Sequence, residues 1–113
     1  MRIEESRIGD VLVVKPMDRR IDASSAAAFK ALLNDRIQGG QQRIVLNLSE
    51  VDFIDSTGLG AIVSSLKSMG EFGDLVISNP RETVMSLFRL TRMNRVFNIL
   101  PSEEEALASL SKS

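Results

Sequence analysis

Short apolar runs alternate with stretches of helical periodicity along this chain, and this alternation restricts the possible fold more than any other feature. The apolar runs at residues 11–14, 43–48, 74–78 and 96–100 have the length of buried strands. Between and after them, apolar residues recur every three or four positions, as they do on one face of a helix. A chain in which strands and helices alternate forms a mainly parallel sheet with helices packed against it.

Turn and capping residues set the predicted element boundaries. Gly9-Asp10 separates residues 2–8 from the first apolar run, which predicts an N-terminal hairpin. Asp22 is the predicted N-cap of the first helix, and Gly39-Gly40 ends that helix. Three further helices are predicted to begin near Gly58, at Asn79-Pro80, and at the capping box of Ser102 and Glu105. We therefore predict an α/β fold in one domain over 1–113, with a mixed sheet, about four helices and the order β-β-α-β-α-β-α-β-α.

The amino acids that are missing exclude whole classes of activity. The chain has no Cys and no His, so it cannot contain a Ser-His-Asp triad, a Cys-His dyad or a thiol nucleophile. A zinc site would have to consist of carboxylates alone, against the usual preference for nitrogen and sulfur. We expect a protein that is not an enzyme and that holds neither a metal nor a cofactor.

Charge and hydropathy also restrict the partners and the compartment. A formal net charge of −1 gives no general attraction to nucleic acid or to anionic lipid. No apolar run approaches the roughly 20 residues of a membrane span. The N-terminus lacks the apolar segment of a signal peptide. We expect a cytoplasmic protein that neither binds nucleic acid nor inserts into a membrane.

The stretch FIDSTGLGAIV at 53–63 carries the most chemistry in the chain. Its serine is not flanked as G-x-S-x-G, which excludes a nucleophile elbow, and it lacks the lysine of a P-loop. Two interpretations stay open from the residues alone. Either Ser56 or Thr57 caps the helix that begins near Gly58, or the glycines give room for a phosphate or another molecule at the helix N-terminus. Asp55 argues against a phosphate, because its charge would repel one.

The helix after this stretch has a side of small residues, which predicts a docking surface beside Ser56. Small side chains let a partner approach the backbone with little loss of rotamer entropy. Ordinary exposure to solvent is the alternative. The predicted members of the surface are Leu59, Gly60, Ala61, Ser64 and Ser68.

Positive charge is concentrated between residues 81 and 95, which contain the arginines Arg81, Arg89, Arg92 and Arg95. The chain as a whole is slightly acidic, which argues against a nucleic-acid surface. We interpret the segment as a solvated face with room for one salt bridge to a partner.

Several stretches together resemble the STAS domain of anti-sigma factor antagonists. FIDSTGLGAIV is similar to the D-S-[ST]-G-L-G signature of that family, and RIVLNLSEVDFIDSTGLG to its central strand and signature loop. IDASSAAAFKALL resembles the family's first helix, and LVISNPRETVMSLFRLT with RVFNILPSEEEAL its closing half. The chain departs from the family at LTRMNRVF, where Arg92, Met93 and Asn94 replace the more usual Gly, Leu and Asp. The resemblance implies a STAS-like fold over nearly the whole chain.

The resemblance also implies a phosphorylation switch, with Ser56 as the phosphoacceptor and Asp22, Asp55, Thr57 and Gly58 as its neighbours. Unphosphorylated, the chain would bind an anti-sigma factor that is also a serine kinase, and so free a sigma factor. Phosphorylation by that kinase would end binding, and a PP2C-type phosphatase would restore it. The alternative is a constitutive STAS scaffold in a transport or stress-sensing complex, without a phospho-switch.

Overall fold

A computed structural model describes residues 1–110 of the chain. Its strands are β1 (Ile3–Ile8), β2 (Val11–Pro16), β3 (Arg20–Ile21), β4 (Arg43–Asn47), β5 (Phe53–Ile54), β6 (Asp74–Ser78) and β7 (Asn98–Leu100). Its helices are α1 (Ala26–Gln38), α2 (Ser56–Ser68), α3 (Glu82–Leu90) and α4 (Glu103–Leu110), with a 3-10 turn at Met93–Arg95. No helix in this part of the chain is both long enough and apolar enough to cross a membrane. The predicted domain, 1–113, includes residues 111–113, which lie outside the described residues, and its extent stays a prediction.

The main sheet has five strands in the order β1-β2-β4-β6-β7. β1 and β2 are antiparallel and form the predicted hairpin. β2, β4, β6 and β7 run parallel, and each connection between them contains a helix. The predicted α/β class, the mixed sheet and the four helices within the described residues are therefore confirmed.

β3 and β5 form a second, two-stranded parallel sheet that was not predicted. Arg20 pairs with Phe53, and Ile21 pairs with Ile54. Strands of two residues are too short to show any periodicity in the sequence. Their pairing brings the segment before α1 next to the segment before α2, and this positions the candidate site.

Apolar residues of β2, β4 and β6 are buried on both faces of the main sheet, which explains why these three strands are near-continuous apolar runs. On one face, Leu12, Ile44 and Ile77 belong to a core cluster with the apolar sides of α1, α2 and α3. On the other face, Val13 and Val45 pack with the apolar side of α4. The larger core lies beneath the helices that start at the carboxyl ends of the parallel strands.

α1 begins later than the sequence predicted. Its N-cap position is occupied by Ser25, and the helix starts at Ala26. Asp22 instead organises the turn before the helix, because its carboxylate accepts hydrogen bonds from the backbone N–H and the hydroxyl of Ser24 at 3.0 and 2.6 Å. The prediction of Asp22 as the N-cap is therefore wrong by three residues, although Asp22 does stabilise the approach to α1.

The starts of α3 and α4 also test the capping predictions. α3 begins at Glu82 rather than at Asn79-Pro80, because Asn79 has a left-handed backbone with φ of 57° that cannot continue into a helix. The capping box before α4 is confirmed: the N–H of Glu105 donates to the hydroxyl of Ser102 at 3.1 Å, and that hydroxyl donates back to Glu105 at 3.4 Å. Of these two helix starts, only that of α4 was predicted correctly from the sequence pattern.

Candidate functional site

The motif loop, defined as residues 52–58, lies where β5 passes into α2. The backbone N–H of Asp55 donates to the carbonyl of Ile21 at 3.2 Å, and the N–H of Ala23 donates to Oδ2 of Asp55 at 3.3 Å. Both bonds extend the pairing of β3 with β5. The turn at Asp22 and the motif loop are therefore neighbours.

Asp55 is the N-cap of α2. Its Oδ1 accepts a hydrogen bond from the N–H of Gly58 at 2.8 Å, and its carbonyl accepts one from Leu59 at 2.9 Å. An Asp in this position stabilises a helix by about 1 kcal/mol relative to Ala, and its charge suits the positive end of the helix dipole. The interpretation of Ser56 or Thr57 as the cap is therefore wrong, since the residue before them occupies that position.

Ser56 and Thr57 consequently keep hydroxyls that the fold does not use. Both residues are exposed at the first two positions of α2, and neither hydroxyl has a hydrogen-bond partner within residues 1–110. Asp55 already accepts two N–H donors, and the chain has no His that could act as a base. The positive end of the helix dipole favours negative charge at these two positions.

Gly58 is required by an internal contact. A Cβ on this residue would lie 2.3 Å from the carbonyl oxygen of Ile21, which no side chain tolerates without a shift of the backbone. The expectation that both glycines clear space for another molecule is therefore wrong for Gly58. Gly60 does have open space beside it, because a Cβ on this residue would have no atom within 4 Å.

Asp22 stays ionised beside the motif loop. Hydrogen bonds from the hydroxyl and N–H of Ser24 hold the pKa of Asp22 below its ordinary value of 3.8, and Arg20 at 3.3 Å acts in the same direction. Asp22 is linked to the motif loop through the next residue, Ala23, whose N–H donates to Asp55. The structure thus brings two carboxylates to the end of the molecule where Ser56 is exposed.

The small residues of α2 divide into an exposed set and a buried set. Gly60 and Ser68 are exposed and Ser64 is half-buried, whereas Ala61 is only 6% exposed and belongs to the main core. Leu59 is half-buried and packs against the same core. Ala61 therefore drops out of the predicted docking surface. Gly60, Ser64 and Ser68, spaced by four residues, form what we call the small-residue strip.

Three arginines contact the motif loop, an arrangement that was not predicted from the sequence. The guanidinium of Arg20 lies 4.2 Å from the ring centroid of Phe53, a cation–π contact across the β3–β5 pair. Asp52 accepts ion pairs from Arg19 at 2.7 Å and from Arg81 at 3.1 Å. The contacts of Arg19 and Arg20 accompany the pairing of two-residue strands, which no periodicity in the sequence indicates, whereas Arg81 reaches Asp52 from the start of α3.

Comparison with known proteins assigns these features to a family. The model of the STAS domain matches residues 2–106. A protein of Thermotoga maritima, named as a candidate anti-sigma factor antagonist, is 31% identical over 107 residues, which cover 93% of this chain and 94% of its own length. The crystal structure of a candidate antagonist from the same organism matches with a TM-score of 0.90 at 29% identity, covering 97% of this chain and 95% of that one.

The anti-sigma factor antagonist SpoIIAA has the same fold at lower identity. Its unphosphorylated form matches with a TM-score of 0.82 at 20% identity, covering 96% of each chain. Its phosphorylated form, from Bacillus, matches with a TM-score of 0.74 at 20% identity, covering 96% of this chain and 99% of that one. These two likenesses show the fold alone. The family match over residues 2–106, together with the Thermotoga maritima relative, shows that this chain belongs to the STAS domain family.

Proposed function

We propose that this protein is an anti-sigma factor antagonist that phosphorylation of Ser56 switches off. The unphosphorylated chain binds an anti-sigma factor that is also a serine kinase, and this releases a sigma factor. A PP2C-type phosphatase removes the phosphate and restores binding, and all of these proteins act in the cytoplasm. The chain itself is a substrate and a binding partner rather than an enzyme.

One observation carries the proposal. Asp55 caps α2, so the neighbouring Ser56 keeps an exposed hydroxyl that makes no hydrogen bond within residues 1–110. The names of the relatives supply the class of partner, since the Thermotoga maritima protein and SpoIIAA are both described as anti-sigma factor antagonists. That SpoIIAA has a phosphorylated form supports a phosphorylation switch in a chain of this fold.

The phosphoryl transfer requires little of this chain beyond presenting Ser56. The Oγ of Ser56 attacks the γ-phosphorus of ATP held by the kinase, the bond from that phosphorus to the β-phosphate oxygen breaks, and ADP leaves. The proton of the hydroxyl passes to a base of the kinase, which also supplies Mg²⁺. The phosphate then sits at the N-terminus of α2, where the helix dipole stabilises it.

The phosphate blocks binding through charge and desolvation. It adds about −1.5 to −2 charges at pH 7, beside Asp55 and next to the small-residue strip. A micromolar complex rests on roughly 8 kcal/mol of binding free energy. Burying the new charge in an interface that lacks matching cations costs several kcal/mol, which is enough to abolish such a complex.

The proposal is tested by incubating the protein with ATP and each anti-sigma factor kinase of the same genome, followed by mapping of the modified residue by mass spectrometry. Ser56→Ala should abolish phosphoryl transfer. Thr57→Ala is a matched control, because Thr57 is adjacent, exposed and equally unbonded; it should leave transfer largely intact.

Other outcomes would change the proposal in defined ways. Phosphate on Thr57 of the wild-type chain would move the switch by one residue. A stable complex in which neither residue is ever modified would favour the constitutive scaffold instead. Absence of both binding and transfer with every such kinase would contradict the proposed function.

A further inference from the structure

The end of α3 carries an apolar and basic surface away from the motif loop. Leu90, the last residue of α3, is 84% exposed, and Val96 is 51% exposed. Arg92 and Arg95 lie between them in the chain and are also exposed. We call these four residues the distal patch.

The segment that carries the distal patch is held against the core. The rings of Phe88 and Phe97 have their centroids 6.0 Å apart, and both residues are buried. The N–H groups of Val96 and Phe97 both donate to the carbonyl of Met93, at 3.0 and 2.9 Å. The patch is therefore presented on a fixed backbone, so little conformational entropy would be lost when a partner binds it.

Arg92 stands in a backbone conformation that favours glycine. Its φ is 60°, in the left-handed region, and it is one of the two non-glycine residues with positive φ among residues 1–110. The Arg92 guanidinium makes no ion pair or hydrogen bond within the described residues, so no polar contact in this part of the chain requires an arginine here. A contact outside the chain would explain why arginine stands there.

The charge of the patch is not balanced locally. Arg81 and Arg89 are paired with Asp52 and Glu82, whereas the guanidinium of Arg95, like that of Arg92, has no partner in the part of the chain that the structure describes. Residues 83–101 contain three arginines and no Asp or Glu, in a chain whose formal net charge is −1. A surface complementary to the patch would therefore be acidic and would contain apolar side chains.

We propose that the distal patch is a second docking surface, which binds an acidic and partly apolar surface of the same anti-sigma factor kinase. This inference rests on the proposed function. The start of α3 contacts the motif loop, since the hydroxyl of Thr83 donates to the carbonyl of Asp52 at 2.8 Å. The helix has nine residues and is about 13 Å long. The two ends of α3 are therefore closer together than the width of an interface of ordinary size, which is about 800 Å² per partner.

The experiment compares the affinity of unphosphorylated variants for the kinase by isothermal titration calorimetry. Arg92→Gly removes the guanidinium and suits the left-handed backbone, so the fold should be retained; we expect affinity to fall about tenfold and to become less sensitive to salt. Leu90→Gln should give a similar loss. Phe72→Gln is a matched control, because Phe72 is also 84% exposed but lies in the turn before β6; it should leave affinity unchanged.

The outcomes separate this inference from the proposed function. If Ser56→Glu abolishes binding while Arg92→Gly and Leu90→Gln bind as the wild type does, the distal patch is not a docking surface and the proposed function stands. If the wild-type chain binds none of the kinases, the proposed function fails and the inference fails with it. The wild type and Arg92→Gly can also be compared for binding to phosphatidylserine vesicles. If only the wild type binds the vesicles, and both bind the kinase equally well, the patch contacts a membrane surface and the inference is overturned. The inference would be supported if Arg92→Glu weakened binding and replacement of an acidic kinase residue by a basic one restored it.

Discussion

Gly58 and Gly60 lie two residues apart near the start of α2 and face opposite environments. A Cβ on Gly58 would lie 2.3 Å from the carbonyl oxygen of Ile21, which also accepts the N–H of Asp55 at 3.2 Å. Because that oxygen belongs to the β3–β5 pairing, relieving the clash would disturb the motif loop. We expect Gly58→Ala to lower the free energy of unfolding by about 1–3 kcal/mol, the usual range for overpacking.

Gly60→Ala is the matched substitution for this residue-scale prediction. A Cβ there meets no atom within 4 Å, and alanine is the better helix former, so stability should stay the same or rise by up to about 1 kcal/mol. Urea unfolding of the two variants measures both effects. Equal losses from both would show that the Ile21 contact is not what requires glycine at position 58.

At the scale of elements, the ion pair of Glu5 with Arg36 joins the edge strand β1 to α1. Arg36 donates from Nε to Oε1 of Glu5 at 2.7 Å and from its terminal nitrogen to Oε2 at 2.9 Å. These hydrogen bonds lower the pKa of Glu5 below its ordinary value of 4.5. The carboxylate therefore stabilises the folded chain above about pH 4.5, and this contribution is lost as the pH falls through the lowered pKa.

We expect Glu5→Gln to make the free energy of unfolding less dependent on pH below about pH 4.5. Glu4→Gln is the control, because it removes a carboxylate from the same strand that makes no side-chain ion pair or hydrogen bond within the described residues. Urea unfolding at a series of pH values gives both curves. An unchanged slope in Glu5→Gln, or the same flattening in Glu4→Gln, would contradict the assignment.

The sequence predicted elements where a physical pattern runs over several residues. The apolar runs at 11–14, 43–48 and 74–78 became β2, β4 and β6, because burial on both faces of a sheet leaves a continuous apolar signal. The run at 96–100 contains only the shorter edge strand β7, which is not fully buried. The pairing of β3 with β5 depends on contacts between residues more than 30 positions apart, in strands of two residues each. No local pattern records such a pairing, so the contacts of Arg19 and Arg20 with the motif loop could not be predicted either.

The candidate site was predictable in composition but not in the role of each residue. The sequence located Ser56, Asp55 and Gly58 in one loop, yet capping chemistry allows Asp, Ser and Thr alike. Only the observed bond from the N–H of Gly58 to Asp55 decides among them. Likewise, Ala61 is a small residue next to Gly60 in the sequence, and its burial depends on the packing of α2 against the core.

At the scale of the whole molecule, the core and the exposed hydroxyl are separate. The buried residues of the main sheet and of α1, α2 and α3 form the large cluster, while Ser56 lies outside it and is exposed. A charge added to Ser56 therefore stays exposed to solvent and is not buried in the core. Binding and folding should respond independently to that charge.

Ser56→Glu tests this independence. The added carboxylate lies in the first turn of α2, where the helix dipole favours it by about 0.3–1 kcal/mol, offset in part by repulsion from Asp55. Thermal unfolding should therefore stay close to that of the wild type, while affinity for the anti-sigma factor kinase falls far more than in Ser56→Ala. The loss of one hydroxyl costs roughly 1 kcal/mol, so Ser56→Ala should bind within about tenfold of the wild type.

Ser6→Glu adds the same charge to an exposed position of β1 and should change neither binding nor stability. This control separates a local block at the docking surface from a general effect of net charge, which is identical in the two glutamate variants. If Ser56→Glu unfolds at a markedly lower temperature, the switch acts through the fold and not at the surface. If it binds the kinase as tightly as Ser56→Ala does, negative charge at this hydroxyl is not what ends the complex, and the steric bulk of a phosphate would have to do so.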